Sequence, residues 1–149
     1  REQTVTTLAA ISLTTAIAQL PAGWLADVFP LRWLAFVNMV LQATSLVLLL
    51  FVSSFQLAFA YAILAGLAVS VHNGVIGPLW ARYFGREHLG KIRGSIFTST
   101  VAGSSLGPFV MGALFDLTGS YSPSIIIFAV IYGVFAVLTP LARRPELTN

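Results

Sequence analysis

Long apolar stretches separated by short polar segments run through the whole chain. Each stretch is close to the roughly 20 residues that an α-helix needs to cross about 30 Å of hydrocarbon. The stretches are too long for β-strands and lack the alternation of apolar and polar residues that strands show. The pattern therefore predicts an all-α, polytopic bundle with five transmembrane spans, at about 4–24, 33–52, 57–79, 95–115 and 124–141.

The composition agrees with a lipid environment. Hydrophobic residues make up 57% of the chain and charged residues 9%, with a mean hydropathy of +0.88. A soluble domain usually carries about 25% charged residues, and a globule of this size could not hide so much apolar surface from water. The sequence holds no cysteine, which excludes disulfides, thiolate metal sites and a cysteine nucleophile within these residues.

The distribution of basic residues predicts the orientation of the spans. The segments after the second and fourth spans contain no Lys or Arg, whereas seven of the eight basic residues lie on the other side of the membrane: Arg32, Arg82, Arg86, Lys91, Arg93, Arg143 and Arg144. Cytoplasmic segments carry an excess of Lys and Arg. We therefore expect an integral membrane protein with a cytoplasmic C-terminus, whose basic segments face lipid headgroups rather than nucleic acid.

The chain starts with Arg1 and shows no signal peptide. Together with the odd number of spans, this start leads us to expect a fragment that lacks at least one preceding helix.

Two polar side chains inside the third span are candidates for the solute pathway. His72 and Asn73 lie in an otherwise apolar run, and buried polar groups in a membrane protein tend to face the bundle interior or a water-filled cavity. His72 can also change its charge near neutral pH. The alternative is an interhelical hydrogen bond that packs the bundle, worth about 0.6 kcal/mol on average. The sequence leaves both interpretations open.

The first span carries hydroxyls and one amide at close to helical spacing. Thr15 and Gln19 are the candidates on this face for a water-filled path. The alternative is that the hydroxyl groups bond back to carbonyls of their own helix, as Ser and Thr often do in membrane spans.

Small residues and a proline mark the fourth span. Gly103 and Gly107 form a G-x-x-x-G pair that lets two helices approach closely. Pro108 lacks a backbone donor and should kink the helix. Packing explains these residues better than direct contact with a solute.

Patterns typical of enzymes are lacking in the sequence. It shows no P-loop, H-E-x-x-H or G-x-S-x-G pattern. We therefore expect no catalytic residues, no cofactor and no metal site.

Three segments resemble the major facilitator superfamily. GWLADVFPLR, residues 23–32, is similar to the loop G-x-L-A-D-R-x-G-R-R that joins the second and third helices of each six-helix half. GREHLGKIRG, residues 85–94, is similar to the basic loop before the fifth helix of a half. GSSLGPFVMGALFDLTGSY, residues 103–121, resembles the eleventh helix and its outer turn, most closely in bacterial members related to monocarboxylate and oxalate carriers.

The resemblance implies secondary active transport by alternating access. The loop at residues 23–32 lacks two bases and a glycine of the family pattern, at Val28, Leu31 and Pro30, which is typical of the second half. The five spans would thus be helices eight to twelve of twelve, in a bacterial inner membrane. The partners would be a small solute, a coupling proton or ion, lipid and the missing N-terminal half. Monocarboxylate carriers have an Asp and an Arg in the eighth helix that this chain lacks, so their substrate is not carried over.

The resemblance also gives the charged residues at 23–32 a role. In the family the loop acid bridges to the start of a helix on the same face and to a nearby Arg, closing the cytoplasmic side. Gly23, Asp27, Arg32 and Arg93 would form this gate, with Asp27 as its latch. The alternative is a solvated loop acid that affects topology only.

Two other functions remain open from the sequence. The spans could be helices two to six of the first half, since the halves are related repeats. The chain could also be a structural or sensory membrane subunit that transports nothing.

Overall fold

Five long α-helices account for nearly all of the chain in a computed structural model, which describes residues 2–84 and 89–141, without the side chains of residues 2–4, 77, 80–84 and 89. The helices are α1 (Glu2–Val28), α2 (Leu31–Leu50), α3 (Phe55–Phe84), α4 (Leu89–Thr118) and α5 (Ser122–Leu138), and a 3-10 turn (Thr139–Leu141) follows α5. Each of the five is long and apolar enough to cross a membrane. The prediction of an all-α bundle with five spans is therefore confirmed.

Three helices, α1, α3 and α4, extend well beyond one end of their predicted spans. α1 continues to Val28 and α4 already begins at Leu89, so Asp27 and Arg93 lie inside helices and not in the connections where they were expected. Helical hydrogen bonding does not stop at the edge of the apolar stretch: the N–H of Phe29 still donates to the carbonyl of Leu25 at 2.8 Å. Pro30, which disfavours a helical conformation at the residue before it, marks the end of α1.

Short turns join α1 to α2, α2 to α3 and α4 to α5. Pro30 has an extended conformation (φ −61°, ψ 122°) just before α2. The hydroxyl of Ser54 accepts from the N–H of Leu57 at 3.4 Å, as a capping serine does at the start of α3. Gly119 adopts a positive φ of 69° after α4, which glycine tolerates without strain, and its N–H donates to the carbonyl of Phe115 at 2.7 Å. Turns this short keep the joined helix ends close together.

The helices pack unequally. α1 lies along α3, α3 also contacts α2, and α2 contacts α5. α4 touches α3 and α5 only sparsely, and 0% of its most apolar stretch is buried. An apolar cluster fills the junction of α1, α2 and α3, formed by Ala26, Leu31, Leu34 and Val75. The fold is thus a packed group of four helices with α4 alongside it.

A seam of small residues on α3 brings α1 close. A Cβ atom on Gly66 would lie 2.8 Å from the Cβ of Thr14 and 2.9 Å from the carbonyl oxygen of Ile11. A Cβ atom on Gly74 would lie 2.9 Å from the carbonyl oxygen of Ala22. Between them, fully buried Ser70 donates to the carbonyl of Thr15 at 3.0 Å. This spacing of small residues four apart is the usual device for close approach of helices in membranes.

Candidate functional site

A partly open cavity of about 450 Å³ lies between α3 and α4, and most of its lining surface is apolar. Its described lining consists of His72, Asn73 and Ile76 from α3 and Arg93, Ile96, Phe97 and Thr100 from α4. We call this space the α3–α4 cavity. It combines a cation, an imidazole, an amide and a hydroxyl group with three apolar side chains, in a bundle whose other contacts are mostly apolar.

Helical spacing explains why these residues share the cavity. On α4, Arg93 and Thr100 are seven residues apart, with Ile96 and Phe97 between them, and residues three, four and seven apart lie on one face of an α-helix. Since α4 begins at Leu89, Arg93 is already inside the helix and on the same face as Thr100. The sequence prediction treated Arg93 as a loop residue, so it missed the fact that Arg93 and His72 line one cavity.

The imidazole ring of His72 is within hydrogen-bond distance of a side chain of α2. The Nδ2 atom of Asn38 lies 3.3 Å from the Nδ1 atom of His72. Asn38 is buried, with 3% of its surface exposed, while His72 is half-buried and reaches the α3–α4 cavity. The interhelical hydrogen bond and the cavity position are thus both present for His72.

Three polar side chains of the cavity lining offer hydrogen-bonding groups. The guanidinium group of Arg93 offers several donors in a fixed planar arrangement, and the amide of Asn73 offers both donors and an acceptor. The hydroxyl of Thr100 donates to the carbonyl of Ile96 at 2.9 Å, which leaves its oxygen as an acceptor. No carboxylate is among the described residues that line this cavity. Such a lining can donate hydrogen bonds to a small molecule and accept them from it.

α4 carries a run of exposed hydroxyl groups that the sequence prediction overlooked. Each donates to a carbonyl of its own helix three or four residues earlier, at distances from 2.9 to 3.1 Å; they belong to Ser95, Thr98, Ser99, Thr100, Ser104 and Ser105. The sequence could have indicated this run, because the stretch SIFTSTVAGSS carries six Ser and Thr residues among eleven. Bonding back to the helix satisfies the donors and leaves the oxygen atoms as acceptors toward the surroundings.

Thr15 and Gln19 lie on α1, away from the α3–α4 cavity. Thr15 is half-buried at the α1–α3 seam, and its hydroxyl is 2.8 Å from the carbonyl of Ile11 and 3.3 Å from that of Gly66. Gln19 is exposed. The structure therefore does not bring these two pathway candidates together with His72 and Asn73.

The predicted gate residues lie at the junction of α1 and α2 and at the start of α4. Gly23 is in α1, Asp27 is exposed in the last turn of α1, and Arg32 is exposed in the first turn of α2. A helix carries partial positive charge at its N-terminus and partial negative charge at its C-terminus. The negative Asp27 thus lies at the negative end of α1, and the positive Arg32 lies at the positive end of α2. Since neither side chain is stabilised by its own helix dipole, partners on other elements are favoured for both.

α4 runs without interruption through the predicted packing residues. No heavy atom of a neighbouring element lies within 4 Å of a Cβ placed on Gly103 or Gly107, among the parts of the chain that the structure describes. Pro108 is exposed within the helix. Gly107 follows Thr100 by seven residues and so shares its face of α4. Close packing at this pair stays a prediction.

A second cavity of about 500 Å³ lies between α1 and α3 beside the α2–α3 turn. We call it the α1–α3 cavity; hydroxyl groups line it at Thr7, Ser53, Ser54 and Tyr61. It lies near the start of α3, whereas Arg82 lies near the end of that helix. Arg86, His88, Arg143 and Arg144, used above for topology and the basic loop, lie outside the described residues.

Comparisons with known proteins agree with the architecture. The family model described as Major Facilitator Superfamily matches residues 3–149. Neither a curated protein nor a solved structure matches the chain significantly.

Proposed function

Since this chain belongs to the Major Facilitator Superfamily, whose members transport small solutes across membranes, we propose that it lines the solute pathway of a secondary transporter that works by alternating access. The observation that carries this proposal is the α3–α4 cavity. It places the side chains of His72, Asn73 and Arg93 around one space between two membrane-spanning helices.

The uneven packing of the helices supports movement of α4 relative to the other four helices. α1, α2, α3 and α5 are held together by extensive contacts, whereas α4 contacts α3 and α5 only sparsely. Alternating access requires one group of helices to move against another around a central site. α4 can shift relative to α3 at little cost in packing, and such a shift would open or close the α3–α4 cavity.

We assign the gate to the basic end of the bundle, defined by the α1–α2 turn and the start of α4. Asp27 is the proposed latch and Arg32 and Arg93 are its candidate partners, with Gly23 one turn earlier on α1. The charge placement against the helix dipoles, described above, supports partners outside their own helices. Because Arg93 also lines the cavity, a contact between Asp27 and Arg93 would link closure of the gate to the solute.

We further propose that the five helices are the eighth to twelfth of a twelve-helix transporter, with the C-terminus in the cytoplasm of a bacterial cell. The loss of bases at residues 28 and 31 and the similarity to monocarboxylate and oxalate carriers at 103–121 support this placement. Helices two to six of the first half are the alternative. The other wall of the cavity would come from the N-terminal half.

Uptake by the full-length protein tests the proposal. Liposomes with the purified protein would be assayed against a panel of radiolabelled sugars, amino acids, carboxylates and nucleosides. A Thr100→Phe variant should lose most uptake because the ring fills part of the cavity. Thr98→Phe is the matched control, since Thr98 is exposed two residues away, bonds to its own helix in the same way and does not line the cavity.

Two outcomes would count against transport through this cavity. Equal loss of uptake in both variants would indicate a general effect on α4. Absence of uptake and of exchange for every solute would favour the alternative of a structural or sensory membrane subunit.

A further inference from the structure

Asn38 is a buried polar residue on a helix that does not line the α3–α4 cavity. α2 is among the more apolar spans, with a mean hydropathy of 1.9, and 3% of the Asn38 surface is exposed. A buried amide without a compensating hydrogen bond is costly. The one partner that the described residues show for the Asn38 side chain is His72, at 3.3 Å. Its Oδ1 atom is buried and has no hydrogen-bond partner among the described residues.

The direction of this hydrogen bond determines the state of the imidazole ring. The Nδ2 group of Asn38 can only donate. The Nδ1 atom of His72 must then accept, so in the neutral ring the proton is on Nε2. Which nitrogen of a histidine carries the proton is set by the hydrogen bond that the other nitrogen makes. The ring then has an N–H donor left on the side away from Asn38.

We propose that Asn38 is a positioning residue that fixes neutral His72 with its proton on Nε2, so that His72 presents a hydrogen-bond donor to the solute in the α3–α4 cavity. This inference rests on the proposed function only in taking that cavity to hold the solute. Together with the guanidinium group of Arg93, the lining then offers donors from both helices. Solutes with acceptor oxygen atoms, such as carboxylates or carbonyl compounds, fit such a lining.

Since His72 is the partner that the structure shows for the Asn38 amide, substitutions at Asn38 should act mainly through the imidazole. Gln42 provides a matched comparison. It also carries an amide, lies one helical turn further along α2 and is half-buried, and none of its described side-chain atoms bonds to His72. The two positions thus separate an effect on His72 from a general effect of changing an amide in α2.

The test is ¹⁵N magnetic resonance of the full-length protein, labelled at histidine and placed in lipid nanodiscs. The His72 signals are assigned as those missing from a His72→Ala variant, and spectra are taken at alkaline pH, where the ring is neutral. The parent protein should show the proton on Nε2. In Asn38→Asp the carboxylate can only accept, so the proton should move to Nδ1 and the ratio of the two forms should change by about tenfold or more, or ~1.4 kcal/mol. Gln42→Glu should keep the parent ratio.

Two results would overturn the proposal. One is a parent protein whose neutral His72 carries its proton on Nδ1. The other is an Asn38→Asp variant with the parent ratio. If Asn38→Asp does not fold, Asn38→Leu replaces it, because leucine suits an apolar helix; the parent preference should then weaken, and an unchanged ratio would equally overturn the proposal. None of these measurements requires transport, so a failure of the proposed function would be seen separately in the uptake assay.

Discussion

At the scale of single residues, the positions that matter most in the structure are small or polar ones among large apolar neighbours. Gly66 and Gly74 allow α1 to lie against α3, and Ser70 between them bonds to the α1 backbone. The sequence prediction chose a different glycine pair, Gly103 and Gly107, because the G-x-x-x-G spacing is explicit there. The α3 seam has serine in the middle position, so the same spacing principle was present but less visible.

Gly66→Ala should destabilise the protein. The added methyl group would lie under 3.0 Å from both the Thr14 side chain and the Ile11 carbonyl, and such overpacking typically costs about 1–3 kcal/mol. Gly133→Ala is the control, because no atom of another element lies within 4 Å of its Cβ position and alanine is a better helix former. Thermal unfolding of the protein in nanodiscs measures both. A Gly66→Ala midpoint equal to or above that of the parent would show that the two helices do not pack this closely.

Asp27→Asn should slow transport without preventing membrane insertion. If the carboxylate latches the gate, the substitution removes a charge-assisted hydrogen bond worth roughly 1.5–3 kcal/mol, so the initial uptake rate should fall about tenfold or more. Asp116→Asn serves as the control, since Asp116 is an exposed acid near the other end of α4. Uptake rates normalised to the amount of inserted protein decide the question. An Asp27→Asn rate equal to that of the parent would leave Asp27 as a topology residue.

At the scale of elements, apolar length was sufficient to predict all five helices, because crossing a bilayer demands a continuous run of apolar residues whatever the tertiary contacts are. The ends were harder to predict. Hydropathy indicates where the apolar stretch ends, but backbone hydrogen bonds can continue a helix past that point. Asp27 in α1 and Arg93 in α4 lie in such continuations. Because the predicted span began at Ser95, it left out Arg93. The prediction therefore did not place Arg93 on the same face of α4 as Thr100.

The two faces of α4 should differ in their access to water. Single cysteines introduced between residues 93 and 107 of a cysteine-free protein would be reacted with a water-soluble maleimide. We expect reaction rates to rise and fall with a period of about 3.6 residues, highest at the positions of Ile96, Thr100 and Gly107 on the cavity face. The rates at Thr98 and Ala102 should be lower. A flat profile would mean that α4 does not border an aqueous path along this face.

At the scale of the whole molecule, the membrane placement and the family follow from composition, span pattern and loop residues, and the family match over residues 3–149 confirms the membership. The pairings among helices did not follow from these features. That Asn38 meets His72 depends on how α2 lies against α3, and no spacing within either helix contains that information. The sequence therefore predicted only part of the candidate site. His72 and Asn73 were identified as polar residues in an apolar span, whereas Asn38 and Arg93 could be assigned to the site only from the folded structure.

The basic end of the bundle should face the cytoplasm. A membrane-impermeant maleimide added to intact cells should label cysteines placed at Ser53 and Ser120, in the turns that join α2 to α3 and α4 to α5. A cysteine at Gly90, near the start of α4, should react only after the membrane is permeabilised. The opposite pattern of labelling would reverse the orientation that the basic residues predict.

The central claim is that the solute path runs between α3 and α4, and accessibility of residue 100 from both sides of the membrane tests it most directly. A Thr100→Cys variant of the cysteine-free protein would be exposed to an impermeant maleimide in right-side-out and in inverted vesicles, with and without a solute identified by the uptake panel. The account predicts reaction from both sides, slowed at least several-fold by the solute, while a cysteine at Val130 on α5 reacts independently of it. Reaction from one side only, with no effect of the solute, would contradict the account.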